Sequence, residues 1–296
     1  MTLICPECRL PLLQDACDCG FERRSVNGIV DMMTPSQVEE YAAFSRAYER
    51  VRESEGWGGD DLDLPFRARR NRYVWNVRKR TFRRFSAIVR DEFRRGGTAL
   101  DAGAGNCWLS GHLVRWGFAV TALDVNSGNR DGLGAASYYL EQGIEFDRVR
   151  APVESLPFTD QSCDLIVMAG AFHYVADDAR VLGECRRVLK TRGRVIIFDS
   201  PWYERSADGD RAVRQRVQEH TRTYGISQCV AWRSSYLLRD HFEKVVREAG
   251  LVARVFPVWP GPRRSWEALR ARLRRSERIA EFPVILLMSN ADATIG

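Results

Sequence analysis

The stretch Thr98-Ala-Leu-Asp101-Ala-Gly103-Ala-Gly105-Asn-Cys-Trp108-Leu109, read on through Asp124, decides the fold. Ala99 and Leu100 form a short apolar run that breaks on Asp101-Ala-Gly103-Ala-Gly105. Trp108, Leu109, His112, Leu113 and Trp116 then keep helical spacing until Gly117. A second apolar run, Phe118 to Leu123, ends in Asp124. Strand, glycine turn, helix, strand and acid make the first half of a nucleotide-binding βαβ unit.

The residue types narrow the ligand. Gly103 and Gly105 let the backbone approach a bound group where a β-carbon would collide with it. Asp124, at the carboxyl end of the second strand, accepts hydrogen bonds from both hydroxyls of a ribose. Two features exclude a dinucleotide. Trp108 stands where G-x-G-x-x-G needs its third glycine. Asp101, two residues before the first glycine, repels a diphosphate but suits an ammonium group. Ribose and ammonium without phosphate predict S-adenosylmethionine (SAM), held by Asp101, Gly103, Gly105, Asn106, Asp124 and Val125.

Three spaced motifs carry a family resemblance: Leu100-Asp-Ala-Gly-Ala-Gly105 with Asp124, the segment Glu154-Ser-Leu-Pro-Phe-Thr-Asp-Gln-Ser-Cys-Asp-Leu-Ile166, and Arg187-Val-Leu-Lys-Thr-Arg-Gly193. In this order they resemble the class I SAM-dependent methyltransferases of type 11, over roughly residues 96 to 296. The resemblance implies a Rossmann-like α/β fold of seven strands with helices on both faces. The third strand is expected over Phe146 to Ala151 and the fourth over Asp164 to Met168. The fifth should run from Arg194 to Phe198, and the final antiparallel pair should be Leu251 to Val258 and Phe282 to Met288. An Arg-rich helix, Arg263 to Arg278, joins that pair. Pro152 stands where the family carries the acid that pairs with the adenine amino group. Adenine selection therefore passes to Glu154 or to the backbone at Val153.

The fourth strand delivers Ala169-Gly-Ala-Phe-His173-Tyr174 to the end of the sheet where open α/β folds bind ligands. Ala169 and Gly170 leave room for methyl donor and acceptor to meet. His173 is the candidate general base, the alternative being a structural histidine that caps the next helix. Residues 204–240 read as a helical insertion roofing the acceptor pocket, with Tyr174, Trp202, Tyr203, Tyr224 and Trp232 expected to line it. Thr34-Pro-Ser-Gln37 starts a helix with a capping box. Its Tyr41 and Tyr48 are candidates to close over the cofactor, or to pack in the core. A Gly/Asp-rich loop over 56–65 leads to an arginine-dense helix, Phe66 to Arg95, with apolar residues at helical spacing.

Residues 1–33 carry Cys5-Pro-Glu-Cys8 and Cys17-Asp-Cys19-Gly20, two pairs separated by eight residues. Such pairs on tight turns offer four thiolates to one structural zinc ion with no open coordination position. A metal-free segment and a redox pair are the alternatives. Small ribbons of this kind before a methyltransferase core are similar to those of some rRNA guanine methyltransferases. The domain reading is thus a zinc-ribbon-like segment (1–33), a helical extension (34–95) and a SAM-binding methyltransferase domain (96–296).

The chain of 296 residues is 45% apolar, carries a net charge of +6 and has no apolar run long enough to span a membrane. Met1-Thr-Leu-Ile-Cys-Pro6 is not a secretory leader, so the expectation is a cytoplasmic protein. Lysine occurs only at 79, 190 and 244, so the positive charge is almost wholly arginine. That bias fits phosphate recognition or a GC-rich coding sequence. The first functional reading is methyl transfer from SAM to a small-molecule acceptor, in bacterial specialised metabolism. The second is an rRNA or tRNA base methyltransferase, from the ribbon and the arginines. A third keeps SAM without methyl transfer, as in a cyclase. Oligomeric state is left open.

Overall fold

The computed structural model describes residues 1–55, 72–225, 235–262, 265–266, 270 and 279–290. Along the chain run β1 (Arg24–Val26), β2 (Ile29–Asp31), α1 (Pro35–Glu55), α2 (Arg72–Glu92), β3 (Gly97–Ala102), α3 (Trp108–Arg115) and β4 (Phe118–Asp124). After a 3₁₀ turn (Leu133–Ala136) come α4 (Ser137–Glu141), β5 (Asp147–Arg150) and β6 (Cys163–Ala169). A second 3₁₀ turn (Phe172–Tyr174) precedes α5 (Asp178–Val188), β7 (Leu189–Phe198), β8 (Trp202–Tyr203) and α6 (Ser206–Tyr224). The chain closes with β9 (Leu237–Leu238), α7 (Arg239–Glu248), β10 (Leu251–Phe256) and β11 (Val284–Ser289).

The main sheet has the order β1-β2-β5-β4-β3-β6-β7-β11-β10, parallel from β2 to β7, with β11 and β10 antiparallel at one edge. Its seven strands from β3 onward are those expected. Two more join them. The hairpin β1–β2, expected to close a separate ribbon, pairs with β5 instead, Val30 opposite Val149, so the sheet has nine strands. The N-terminal strand segment also runs against the stretch after β5: Leu3 bridges Phe158, and the Ile4 amide donates to the Pro157 carbonyl at 3.0 Å. The physical reason is edge protection, because β5 would otherwise present an unpaired row of backbone groups.

The strands are apolar on both sides, as a sheet covered on both faces requires. Leu100, Ile166, Met168, Val195 and Ile197 pack with Val181, Leu182 and Val188 of α5 and Phe242, Val245 and Val246 of α7. Their neighbours in the chain, Ala99, Leu165, Val167 and Ile196, face the opposite way onto Phe82, Phe85 and Val89 of α2 and Leu109 and Leu113 of α3. Alternation along each strand thus builds two cores. α2 buries the apolar stripe read from the sequence; Phe66 to Asn71 lie outside the described residues, as do the 56–65 loop, Trp232 and most of the helix expected over Arg263 to Arg278. α1 begins with the expected capping box, the Thr34 amide donating to Gln37 Oε1 at 2.9 Å and the Gln37 amide to Thr34 Oγ1 at 3.3 Å.

Strand order reverses between β3 and β6. A crevice opens there at the carboxyl ends of the strands, where α/β sheets bind ligands. No described helix is long and apolar enough to cross a membrane.

Candidate functional site

The crevice is an open cleft of about 1100 Å³, solvent-open space included. Its floor is the turn after β3 (Gly103, Ala104, Gly105, Asn106), the end of β4 (Asp124, Val125) and the segment after β5 (Ala151, Val153, Glu154). Ala169, Gly170 and Tyr174 close it beyond β6. Ten residues expected at the cofactor and substrate therefore line one cleft: Gly103, Gly105, Asn106, Asp124, Val125, Val153, Glu154, Ala169, Gly170 and Tyr174.

Asp124 organises the floor. Its Oδ2 accepts the Gly105 amide and its Oδ1 the Asn126 amide, both at 2.8 Å. Each oxygen keeps a further lone pair for a ligand hydroxyl. Burial pushes its carboxyl up to about 6, the Asn126 and Gly105 amides pulling the other way. The two glycines do different work. Gly105 has φ +52, and a β-carbon there would meet nothing nearer than 3.9 Å, so it borders open space that a side chain would fill. A β-carbon on Gly103 would lie 2.4 Å from the Cβ of Ala171; this glycine lets the loop after β6 close on the turn.

Asp101 is not among the residues lining the cleft, which corrects the expectation of direct contact. It is 1% exposed beneath the turn, where Oδ2 accepts from Ser110 Oγ at 2.7 Å and Oδ1 has no hydrogen-bond partner. Burial raises its carboxyl to about 7, opposed by the Ser110 hydroxyl and reinforced by the charge of Asp124. A cation above this floor offsets the cost of both buried charges. The free lone pairs of Asp124 and the open side of Gly105 fit a ribose, and the buried carboxyl of Asp101 beneath the turn favours a cation above it without touching it.

His173 is corrected more sharply. The ring is 6% exposed, its Nδ1 lies 3.1 Å from Ser200 Oγ, and it is absent from the cleft wall. Burial, with the charges of Arg216, Arg52 and Arg78 adding to it, lowers its pKa to about 3. A nitrogen that weakly basic is a poor proton acceptor at neutral pH; nor does His173 cap the next helix, whose N-cap is Asp177, accepting the Arg180 amide at 2.9 Å, so the ring is structural through Ser200 instead.

The expected roof also differs. Trp202 is buried against Phe242 and Arg239, and Tyr203 packs edge-on to Tyr236. Tyr224 of α6 packs with Val217 onto Ala47 and Val51 of α1. None of the three lines the cleft. α6 covers α1, and it is α1 and α2 that cover the cleft, with Tyr41, Phe44, Tyr48, Arg52, Trp75 and Arg78. Tyr41 and Tyr48 were expected; Phe44, Arg52, Trp75 and Arg78 were not. The i, i+3, i+4, i+7, i+11 run Tyr41, Phe44, Ser45, Tyr48 and Arg52 was the available signal, an aromatic helix face ending in a cation.

α1 is latched at both ends. The Tyr41 hydroxyl donates to Glu154 Oε2 at 3.2 Å, and Arg52 pairs with Asp131 at 3.0 Å. Burial raises the Asp131 carboxyl, Arg52 and Arg78 pulling it down. Between the latches Phe44, Tyr48 and Tyr174 form an aromatic cluster with centroids 5.5 to 6.1 Å apart. Arg78 pairs with Asp199 at 3.2 Å and comes within 3.3 Å of where a Gly170 β-carbon would sit. The far end of the cleft is therefore aromatic, with guanidinium groups at its edge.

Away from the cleft, the four cysteines converge as expected. The Sγ atoms of Cys5, Cys8, Cys17 and Cys19 lie within 4.8 Å of one another, with Cys5–Cys19 and Cys8–Cys17 at 3.4 Å. A tetrahedron with Zn–S bonds of about 2.3 Å has edges of about 3.8 Å, so the donor set and its spacing fit zinc.

Residues 100–197 match the family described as Methyltransferase domain. The chain is 26% identical over 222 residues to a dimethylglycine N-methyltransferase of Parasynechococcus marenigrum, covering 69% of this chain and 75% of that protein. It is 30% identical over 146 residues to a sarcosine/dimethylglycine N-methyltransferase of Halorhodospira halochloris, covering 48% of this chain and 51% of that one. The crystal structure of a putative sarcosine dimethylglycine methyltransferase from Galdieria sulphuraria superposes with a TM-score of 0.55 at 18% identity, covering 83% of this chain and 97% of that one.

Proposed function

From the premise that this chain carries a class I SAM-dependent methyltransferase domain, we propose that it transfers the methyl group of SAM to a small-molecule acceptor held under α1 and α2. One observation carries the reading: Asp124, Gly105 and the buried, half-satisfied Asp101 make a floor for a cationic nucleoside. Relatives named for methylating dimethylglycine and sarcosine support an acceptor of that size.

SAM supplies a methyl group already activated on a sulfonium. The protein's part is alignment, since in-line geometry accounts for much of such a barrier. Asp124 would accept the ribose hydroxyls. Val153 and Glu154 would border the adenine, and Ala169 and Gly170 leave the reacting atoms unobstructed. Phe44, Tyr48 and Tyr174 would exclude water from the acceptor and hold it against the methyl group. His173, buried and weakly basic, does not serve as a general base, which favours an acceptor that attacks without prior deprotonation, such as a neutral amine.

The arginines of α2 bear on the RNA reading. Arg78 pairs with Asp199, Arg80 bonds the Pro260 carbonyl and lies 5.3 Å from the centre of the Trp259 ring, and Arg84 covers Phe256. Arg78, Arg80 and Arg84 are thus engaged within the chain, whereas Arg83 and Arg90 of the same helix are exposed, so the preference for a small molecule rests on the cleft and the relatives. The four cysteines are proposed to hold one structural zinc ion. Incubating the protein with SAM labelled on its methyl group, a panel of small amines, acids and phenols, and separately bulk RNA tests the proposal. Label in the small-molecule fraction supports it; label confined to RNA contradicts it.

A further inference from the structure

The cysteine ribbon stands outside the cleft, yet one of its side chains reaches the segment that directly follows the cleft residues Val153 and Glu154. Arg9, directly after Cys8, is left-handed at φ 64, and its amide donates to the Cys5 carbonyl at 3.0 Å. From this knuckle its Nη2 donates to both oxygens of Glu184 at 3.1 and 2.9 Å. Its Nη1 donates to Ser155 Oγ and to the Leu156 carbonyl, both at 3.3 Å. Glu184 in turn accepts the Leu156 amide at 2.8 Å, and Arg187 donates to the same carboxylate and to the Leu156 carbonyl. Leu156 is thus held at both its N–H and its C=O, immediately beyond Val153 and Glu154 of the cleft.

A second tie joins hairpin and floor. Asp31, ending β2, accepts from Arg150 Nη1 at 2.9 Å, and Arg150 Nε donates to the Val125 carbonyl at 3.0 Å. The ribbon therefore holds two segments that adjoin the cleft, residues 155–156 directly and Val125 by way of Arg150. Arg9 is 36% exposed at its side chain, and ion pairs so placed contribute little to global stability. What it fixes is local: the course of the chain from 153 to 156.

We infer that Arg9 is a positioning residue for the nucleoside end of the cleft, coupling metal held by the four cysteines to nucleoside affinity. The inference rests on the SAM reading of the cleft. Metal fixes the knuckle, the knuckle aims Arg9, and Arg9 holds Ser155 and Leu156 so that Val153 and Glu154 meet the base. Coupling of this kind is reciprocal, so a bound nucleoside must also tighten the metal.

The test is calorimetry on the full, zinc-loaded chain with S-adenosylhomocysteine and with its hypoxanthine analogue. Arg9→Ala should weaken S-adenosylhomocysteine about tenfold, within the usual span of coupling between sites, and reduce the preference for adenine. Arg9→Lys should restore part of both. Arg23→Ala, which removes only the exposed ribbon pair with Asp15, should bind as the parent does. Saturating S-adenosylhomocysteine should also slow zinc loss to a chromogenic chelator in the parent and not in Arg9→Ala. Parent-like binding and preference by Arg9→Ala, or equal losses in Arg9→Ala and Arg23→Ala, overturn the inference alone. A parent chain that binds no S-adenosylhomocysteine overturns the SAM reading and the inference with it.

Discussion

A β-carbon on Gly103 would sit 2.4 Å from the Cβ of Ala171, whereas one on Gly105 would meet no atom within 3.9 Å. The two glycines of one turn thus serve packing and ligand space separately, although both are left-handed, at φ +78 and +52. Gly103→Ala is expected to cost about 1–2 kcal/mol for its left-handed backbone and about 1–3 kcal/mol more through overpacking, and Ala171→Gly in the same chain to recover part of the second loss only. Gly105→Ala should cost about 1–2 kcal/mol for its backbone alone and additionally weaken S-adenosylhomocysteine. Urea unfolding and calorimetry check this. Equal stability losses with no recovery by Ala171→Gly would refute the division.

Burial raises Asp101 to about 7 and Asp124 to about 6 from 3.8, and lowers His173 to about 3 from 6.5. As pH falls from 8 to about 6.5, the native chain binds protons that the unfolded chain does not, so the ligand-free protein gains stability. Below about 6.5 the unfolded imidazole takes a proton that the buried ring refuses, which offsets part of this gain while the two carboxyls together still hold more extra protons than the ring forgoes. Ligand-free melting temperature should therefore rise as pH falls from 8 to about 5. Asp101→Asn should flatten that rise and His173→Gln should steepen it below about 6.5. A parent profile flat from pH 5 to 8 is the contrary result.

SAM affinity should move the other way with pH, because a cationic ligand favours the ionised carboxylates. The gap between bound and free melting temperatures is expected to widen from pH 5.5 to 7.5. A gap independent of pH would mean that no cation lies over Asp101 and Asp124.

The ribbon makes a separate prediction. Elemental analysis of the purified chain should find one zinc per molecule, lost in Cys8→Ser. Because β2 pairs with β5, metal removal should also raise hydrogen exchange in β5, on the far side of the pairing. Exchange confined to residues 1–31 would show that ribbon and sheet are independent.

The core was legible because each strand announces itself twice, by an apolar run and by the residue ending it. Leu100 to Gly105 and Phe118 to Asp124 needed no tertiary information. The hairpin's place on β5 was not legible, since pairing a three-residue strand depends on which sheet edge is vacant, and nothing in Arg24 to Asp31 encodes that. The substrate wall was misplaced for a related reason. Trp202 and Tyr203 have the right chemistry for a pocket, but aromatic side chains serve a core equally well, and burial decided between them. Helix α1 is the converse case: its Tyr41 and Tyr48 read either as a cover for the cofactor or as core, and here they line the cleft together with Phe44. His173 shows the limit of reading a titratable side chain by type, since Ser200 lies 27 residues along the chain.

The central claim is that Asp124 holds the nucleoside of SAM in this cleft. Calorimetric titration of S-adenosylhomocysteine into the parent chain and into Asp124→Ala tests it most directly. The account predicts one site in the parent and a loss of about 2–3 kcal/mol in the variant, the scale for hydrogen bonds to a charged group, with the fold retained. Equal affinity in the two proteins would contradict it.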